Sequence, residues 1–205
     1  MGNVIAEAVI TGGGASGKTS SQSRIKRWAV SRPFRVIFVP ETASLVINAA
    51  APDIAKIFEQ DKDLHGAIER SMFILQMNLR QRALELASAF HEDCLILYDR
   101  AEMDVSTYML PHQFDGILDE LGLLVHEVRD KYDFIIHLET SAKRVPQYYG
   151  YDNPARWETP QQAIESDDRT LKAWSDHPDL HVLEGREDFE DKMRDLIKIL
   201  EEKTQ

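Results

Sequence analysis

The sequence predicts an α/β fold, with one parallel sheet covered by helices and a lid-like segment late in the chain. Three observations lead there. Short β-branched apolar runs alternate with stretches of helical periodicity, the pattern of strands joined by crossover helices. The first run leads straight into ten residues dominated by small side chains, TGGGASGKTS at 11–20. A polar excursion at 142–170 then interrupts the alternation before the last strand-like run.

Taken in order, Val4–Thr11 (VIAEAVIT) reads as the first strand, and a helix is expected from Lys18 to about Val30, ahead of Pro33. Arg35–Thr42 (RVIFVPET) is a buried strand that Pro40 ends, since proline has no N–H for a ladder. Ile68, Met72, Leu75, Leu79, Leu86 and Phe90 recur at three- and four-residue steps, which predicts a helix over about Leu64–Phe90. Cys94–Arg100 (CLILYDR) and Phe134–Thr140 (FIIHLET) are the third and fourth strands, with a helix over Gln113–Val128 between them. Leu180–Gly185 supplies a fifth strand and Asp188–Lys203 a closing helix, with Phe189, Met193, Leu196, Ile197 and Leu200 inward and a charged outer face. Continuous apolarity in the strands suggests a parallel sheet covered on both faces with right-handed crossovers, and the order expected is 2-3-1-4-5. A single domain over residues 1–205 accounts for the whole length.

Composition narrows the functional classes. A formal net charge of −11 argues against broad binding to nucleic acid or to an anionic membrane surface. One cysteine, Cys94, excludes an intramolecular disulfide and fits a reducing compartment. No apolar run reaches the roughly 18 residues of a membrane span, and no basic-then-apolar leader is visible, so a cytoplasmic protein is expected. The seven histidines show no metal-binding spacing.

The small-residue run carries the chemistry. Gly12-x-x-x-x-Gly17-Lys18-Thr19 fits the Walker A pattern, with a strand before it and a helix after. Glycines let the backbone aim N–H groups at phosphate oxygens, and the helix N-terminus adds a favourable dipole. Gly12, Gly13, Gly14, Ala15, Ser16, Gly17, Lys18, Thr19 and Ser20 are thus candidate ligands of a nucleoside triphosphate, with the Thr19 hydroxyl on Mg²⁺. No N-K-x-D guanine-reading motif is present, which favours ATP. Glu41 and Asp99 stand at the C-terminal ends of predicted strands, where ligands of a parallel sheet gather. Asp99 is the candidate acid for Mg²⁺, Glu41 the candidate base, and Arg100 a candidate grip on an acceptor or on the transferring phosphate. Arg144, Arg156 and Arg169 fall in the lid-like stretch, and Arg156 is the preferred donor of positive charge to the transition state. Tyr148, Tyr149 and Tyr151 could stack on a base or pack that stretch, and packing is the preferred reading.

VPET after the second strand and YDRAEMD after the third resemble the small P-loop domains of the AAA-type ATPase/kinase group. That group includes nicotinamide-riboside-kinase-like domains and the GTP-binding domain of translocation-defect proteins. Asn153-x-x-Arg156-x-Glu158, Ala163, Asp167, Trp174 and His177-Pro178 extend the likeness from Val4 to about Lys203. A weaker resemblance is to deoxynucleoside kinases, which implies a catalytic Glu41, an acid–arginine pair Asp99–Arg100, and Gln76 reading a base. Asp99 departs from that pattern, which more often has glutamate. Gln76 and Arg80, four apart, share a helix face and are candidate substrate contacts. Two readings stay open: a Mg²⁺-dependent kinase using ATP on a small-molecule hydroxyl, and a nucleotide-hydrolysing switch or binding module acting through a protein partner. Nothing in the sequence sets the oligomeric state.

Overall fold

The structure, a computed structural model, describes residues 2–149 and 159–205. Five strands form one parallel sheet: β1 Val4–Thr11, β2 Arg35–Val39, β3 Cys94–Asp99, β4 Phe134–Leu138 and β5 Leu180–Leu183. Their order is β2-β3-β1-β4-β5, the order expected. Register brings the strand ends to one edge, with Ile10 opposite Asp99, Thr11 opposite His137 and Val39 opposite Tyr98.

Why the strands read as unbroken apolar runs is plain from the layering. Ile96 and Tyr98 point into one core with Val9, Met72, Phe73, Ile135 and Trp174. Their neighbours Leu95 and Leu97 point into the other, with Ile10, Ile25, Ile136, Leu196 and Leu200. Both faces are covered, so alternate residues are equally apolar.

The helices mostly follow expectation. α1 spans Lys18–Ala29 directly after the small-residue loop. The long helix runs Lys62–Ala89 (α4), started by the Asp61 side chain, which accepts the Leu64 N–H at 2.9 Å. Two helices lie ahead of it where none was expected: α2 Thr42–Ala50 and α3 Ile54–Gln60. A short α5 (Glu102–Ser106) follows β3. The helix expected over Gln113–Val128 is two, α6 Pro111–Leu121 and α7 Val125–Arg129. Gly122 divides them by adopting φ 64°, a left-handed cap that glycine allows at no steric cost. Gly116 is tolerated inside α6.

The polar stretch 142–170 is more regular than a loop. Ser141–Arg144 forms α8, Pro146–Tyr148 a 3₁₀ turn, and Pro160–Trp174 the fifteen-residue α9. Ala163, Ser166, Asp167, Thr170 and Trp174 are buried on α9, so this half of the stretch is packed onto the domain. Phe189–Lys203 closes the chain as α10, with Met193, Leu196 and Leu200 inward and Lys192 buried beside them. Among the described residues no helix is long and apolar enough to cross a membrane.

Candidate functional site

The loop after β1 turns on three residues with positive φ, Gly12 (136°), Ala15 (56°) and Gly17 (93°). At Gly17 the left-handed backbone is where a side chain would be strained, and α1 begins there with no side-chain cap. The first N–H groups of α1 and its positive dipole end therefore open onto the loop, as an anion site requires. No acidic side chain occupies that first turn. Lys18 folds back over the loop, its Nζ donating to Gly12 O at 2.8 Å, Gly13 O at 3.0 Å and Ser16 Oγ at 3.3 Å. Burial and then the neighbouring Arg100 charge lower its pKa to about 8, against the pull of Glu41, Asp99 and Asp104. A bound polyphosphate would reverse that balance. Thr19 and Ser20 are exposed at the start of α1.

Opposite the loop, the ends of β2 and β3 bring their charges together. Glu41 follows Pro40 and holds the N-cap position of α2. It does not bond the helix backbone; its Oε2 accepts the Ser44 hydroxyl at 2.6 Å and its Oε1 lies 2.6 Å from Arg100 Nε. Burial alone would raise its pKa, but Arg100, Ser44 and Lys18 outweigh burial and hold Glu41 below the usual carboxylate value. Asp99 is the reverse case. Burial, and then the Glu41 charge, raise it to about 6. Gln22 on α1 donates to Asp99 Oδ2 at 2.8 Å, while Oδ1 is buried with no hydrogen-bond partner. A buried carboxylate oxygen without a partner, within reach of the Lys18 charge, fits a cation or a hydroxyl donor. Thr19 and Asp99 are the side chains here that could hold Mg²⁺ if a triphosphate is bound.

Arg100 is largely buried and has φ 66°, a left-handed backbone that is uncommon for a long side chain. Its own N–H donates to Ile10 O at 3.1 Å, and its carbonyl lies 3.4 Å from Gln76 Nε2. Burial works against its charge, yet Tyr108, Glu41, Asp104 and Asp99 keep it firmly protonated. Gln76, fully buried on α4, therefore stands beside the cluster. Arg80 does not. One turn further along α4, its guanidinium is bound by Glu7 at 2.6 and 2.8 Å, and Glu7 also accepts the Tyr98 hydroxyl. Glu7 pairs with Ile96, three residues before Asp99, so Arg80 is consumed inside the core below the site edge.

Two acids that the sequence left without a role organise this edge. Asp104, on α5, is buried and accepts the Thr11 hydroxyl, the Ala101 N–H at 2.9 Å and Trp174 Nε1 at 3.2 Å, with Arg100 Nη1 at 3.5 Å. Asp167, on α9, is buried against the loop: Oδ1 accepts the N–H groups of Gly13 at 2.7 Å and Thr140 at 3.2 Å. A β-carbon at Gly13 would lie 2.7 Å from Asp167 Cβ, so glycine is needed there for close approach. For these two acids the only signals in the sequence were the resemblance carried by YDRAEMD and by Asp167, which assigned neither acid a role.

The lid arginines divide. Arg144 pairs with Glu139 at 2.7 Å and Glu184 at 2.6 Å, and Arg169 is exposed. Arg156 and Tyr151 lie outside the described residues. Tyr149 is buried against Ala142 and Ala163, while Tyr148 is exposed. His137, within β4, is buried with its Nε2 3.2 Å from Asp167 Oδ1.

A family model described as "AAA domain" matches residues 7–192, from β1 to α10, and takes in both the glycine loop and the Glu41–Arg100 cluster. The chain belongs to the AAA domain family. Its site thus sits within the small AAA-type P-loop group that the loop and strand-end motifs resemble. No curated protein matches the sequence. Among solved structures, the AAA domain chain is similar in fold to deoxyadenosine kinase from M. mycoides with bound dATP, at a TM-score of 0.58 and 14% identity. The match covers 96% of this chain and 99% of that one. At that identity the likeness speaks for the architecture: a P-loop domain of kinase-like fold.

Proposed function

We propose that this AAA domain chain is a Mg²⁺-dependent kinase that transfers the γ-phosphoryl group of ATP to a hydroxyl of a small nucleoside- or riboside-type acceptor. The observation that carries the reading is the Glu41–Arg100 ion pair at 2.6 Å, held at the strand edge beside Lys18 and Asp99. Lys18 and the loop N–H groups would bind the triphosphate, and Thr19 and Asp99 the metal, whose charge offsets that of the phosphates. Glu41, kept ionised by Arg100, would accept the hydrogen bond of the acceptor hydroxyl and take its proton as the new P–O bond forms. The bond from the γ-phosphorus to the β-bridging oxygen breaks, and ADP leaves. A loose phosphoryl-transfer transition state needs little basicity, so a carboxylate of low pKa suffices to orient the hydroxyl. Arg100 is placed to neutralise charge on the transferring group. Gln76, buried next to the Arg100 carbonyl, supports an acceptor with hydrogen-bonding edges. A cytoplasmic setting belongs to this reading, supported by a buried free thiol at Cys94.

A panel of nucleosides and ribosides, assayed for ADP release with ATP and Mg²⁺, tests the proposal. At least one acceptor should raise ATP consumption, and Glu41→Gln should cut that rate by about two orders of magnitude while leaving nucleotide affinity close to wild type. If no acceptor stimulates turnover, the kinase reading fails. One observation favours the alternative of a hydrolytic switch: α9 touches the glycine loop directly through Asp167, as a segment that senses the γ-phosphate would.

A further inference from the structure

Two buried charged side chains reach the glycine loop, one from each of the two long helices that follow β4, α9 and α10. Asp167 on α9 accepts the N–H groups of Gly13 and Thr140 at 2.7 and 3.2 Å. Lys192 on α10 donates through Nζ to the carbonyls of Ser16 and Glu139, at 3.1 and 2.8 Å. The two sets of partners match. Each charge ties one residue of the loop to one residue of the turn after β4, the acid through N–H groups and the lysine through carbonyls. Thr140 adds a third tie, its hydroxyl donating to Gly14 O at 2.6 Å.

Packing alone does not call for these residues. Lys192 lies on the inward face of α10 beside Met193 and Leu196, where the helical pattern asks for an apolar side chain. It is only 4% exposed, and burial lowers its pKa to about 8 in spite of the nearby Asp167 and Glu139. Asp167 is fully buried; burial opposes its charge, but His137, Lys143 and the Gly13 N–H hold it at about 2. Lys143 Nζ lies 2.7 Å from Asp167 Oδ2. Buried charges cost desolvation energy that an apolar pair of the same volume avoids. Here each binds one backbone group of the loop, Gly13 or Ser16 on either side of its left-handed Ala15, and one of the turn after β4.

We propose that Asp167 and Lys192 are positioning residues that clamp the loop to the β4–α8 turn, fixing the direction of its N–H groups before a phosphate arrives. The clamp acts through the loop and touches no substrate. It rests on the reading of this loop as a triphosphate site, and it makes α9 and α10 part of that site's rigidity.

Lys192→Met and Asp167→Asn test it, by calorimetric titration with a non-hydrolysable ATP analogue and Mg²⁺. Loss of a charge-assisted tie should weaken binding about tenfold in each variant. Amide exchange over residues 12–17 without nucleotide should quicken in both. Methionine fills the volume of the lysine stem, so Lys192→Met should retain its unfolding midpoint within a few degrees, a split that a merely structural lysine would not show. If one variant fails to fold, the other decides. Affinity within about twofold of wild type in a folded variant overturns the clamp, and so does weaker binding with unchanged exchange over the loop. Should the wild-type chain bind no nucleotide, the loop's reading falls and the clamp with it. Tight wild-type binding matched by tight variant binding removes the clamp alone.

Discussion

Asp99 offers a prediction in which stability and function pull apart. Its carboxyl is raised from 3.8 to about 6, first by burial and then by the Glu41 charge. The folded chain therefore holds this proton more tightly than the unfolded chain does. The stability attached to it is fully present below about pH 3.8 and is lost as pH rises through about 6. Asparagine keeps the shape and cannot titrate, so comparing Asp99→Asn with wild type cancels the other ionisable groups. Between about pH 4.5 and about pH 7, roughly one and a half pH units of that shift are traversed, at about 1.4 kcal/mol each. Wild type should lose roughly 2 kcal/mol relative to the variant, or about 4–8 °C in unfolding midpoint for a domain of this size. The window stays below the value of about 8 to which Lys18 is lowered. Thermal unfolding of both proteins across that range measures it directly. Parallel curves would mean that Asp99 titrates like an exposed carboxylate, and the argument for a desolvated acid awaiting a cation would be lost. In the same variant phosphoryl transfer should fall about a hundredfold, because the oxygen that stabilises nothing in the free protein is the one proposed for the metal.

Lys18→Ala should weaken ATP binding several-fold or more, the loss of a charge-assisted contact, and equal affinities by calorimetry would remove the phosphate cradle from the account. For the stretch around Arg156, hydrogen exchange over residues 147–159 should be little altered by an ATP analogue alone and strongly slowed once a productive acceptor is added. Full protection by the analogue alone would favour the switch. Arg156→Ala should lower the transfer rate with ATP affinity nearly intact, and a matching loss of affinity would place that charge in ground-state binding instead.

The parts legible in the sequence are those whose signal is local. Five apolar runs became five strands because both sheet faces are buried, and TGGGASGKTS became a strand-to-helix loop because its glycines are required by backbone geometry. The α2–α3 region escaped notice for the opposite reason. Only Thr42 is fully buried on α2 and nothing on α3, and the stripe α2 does carry, Ala43, Val46 and Ile47 packed on the core, is partly buried and less than two turns long. α9 did carry a readable start: Thr159, Pro160 and Gln162 form a capping box with proline in the first turn, the Thr159 hydroxyl accepting the Gln162 N–H at 3.3 Å. The polarity of PQQAIESDDRT masked it, because its buried positions hold serine, aspartate and threonine as well as alanine. The roles of Asp104, Asp167 and Lys192 were hidden likewise, since a charge that is buried against backbone groups looks in sequence like one that is solvated. Arg80 fails in the other direction. It shares a helix face with Gln76, but Glu7, a carboxylate inside a strand, captures it.

Arg100 shows how far the site is built before any ligand is present. A left-handed residue other than glycine costs about 1–3 kcal/mol and persists only where its surroundings over-determine it. Its N–H is taken by Ile10, its carbonyl faces Gln76, and its guanidinium lies between Glu41 and Asp104. These contacts come from β1, α4, the end of β2 and α5, so the bend after β3 is fixed by four elements at once. Without it the chain leaving Asp99 would continue along the strand direction, and no cation would bridge Glu41 to Asp104. The strain is thus the local cost of holding a guanidinium at the junction of two strand ends. Dipoles and charges held in place beforehand need no reorganisation as charge moves, the condition under which they stabilise a transition state most. In this chain the arginine is locked on the protein side, while Lys18, among the described residues, is bonded to its own loop alone and on the proposed reading would be released by an incoming phosphate. One cation is fixed and the other exchangeable, a division suited to a site that must hold its transition state and let its nucleotide go.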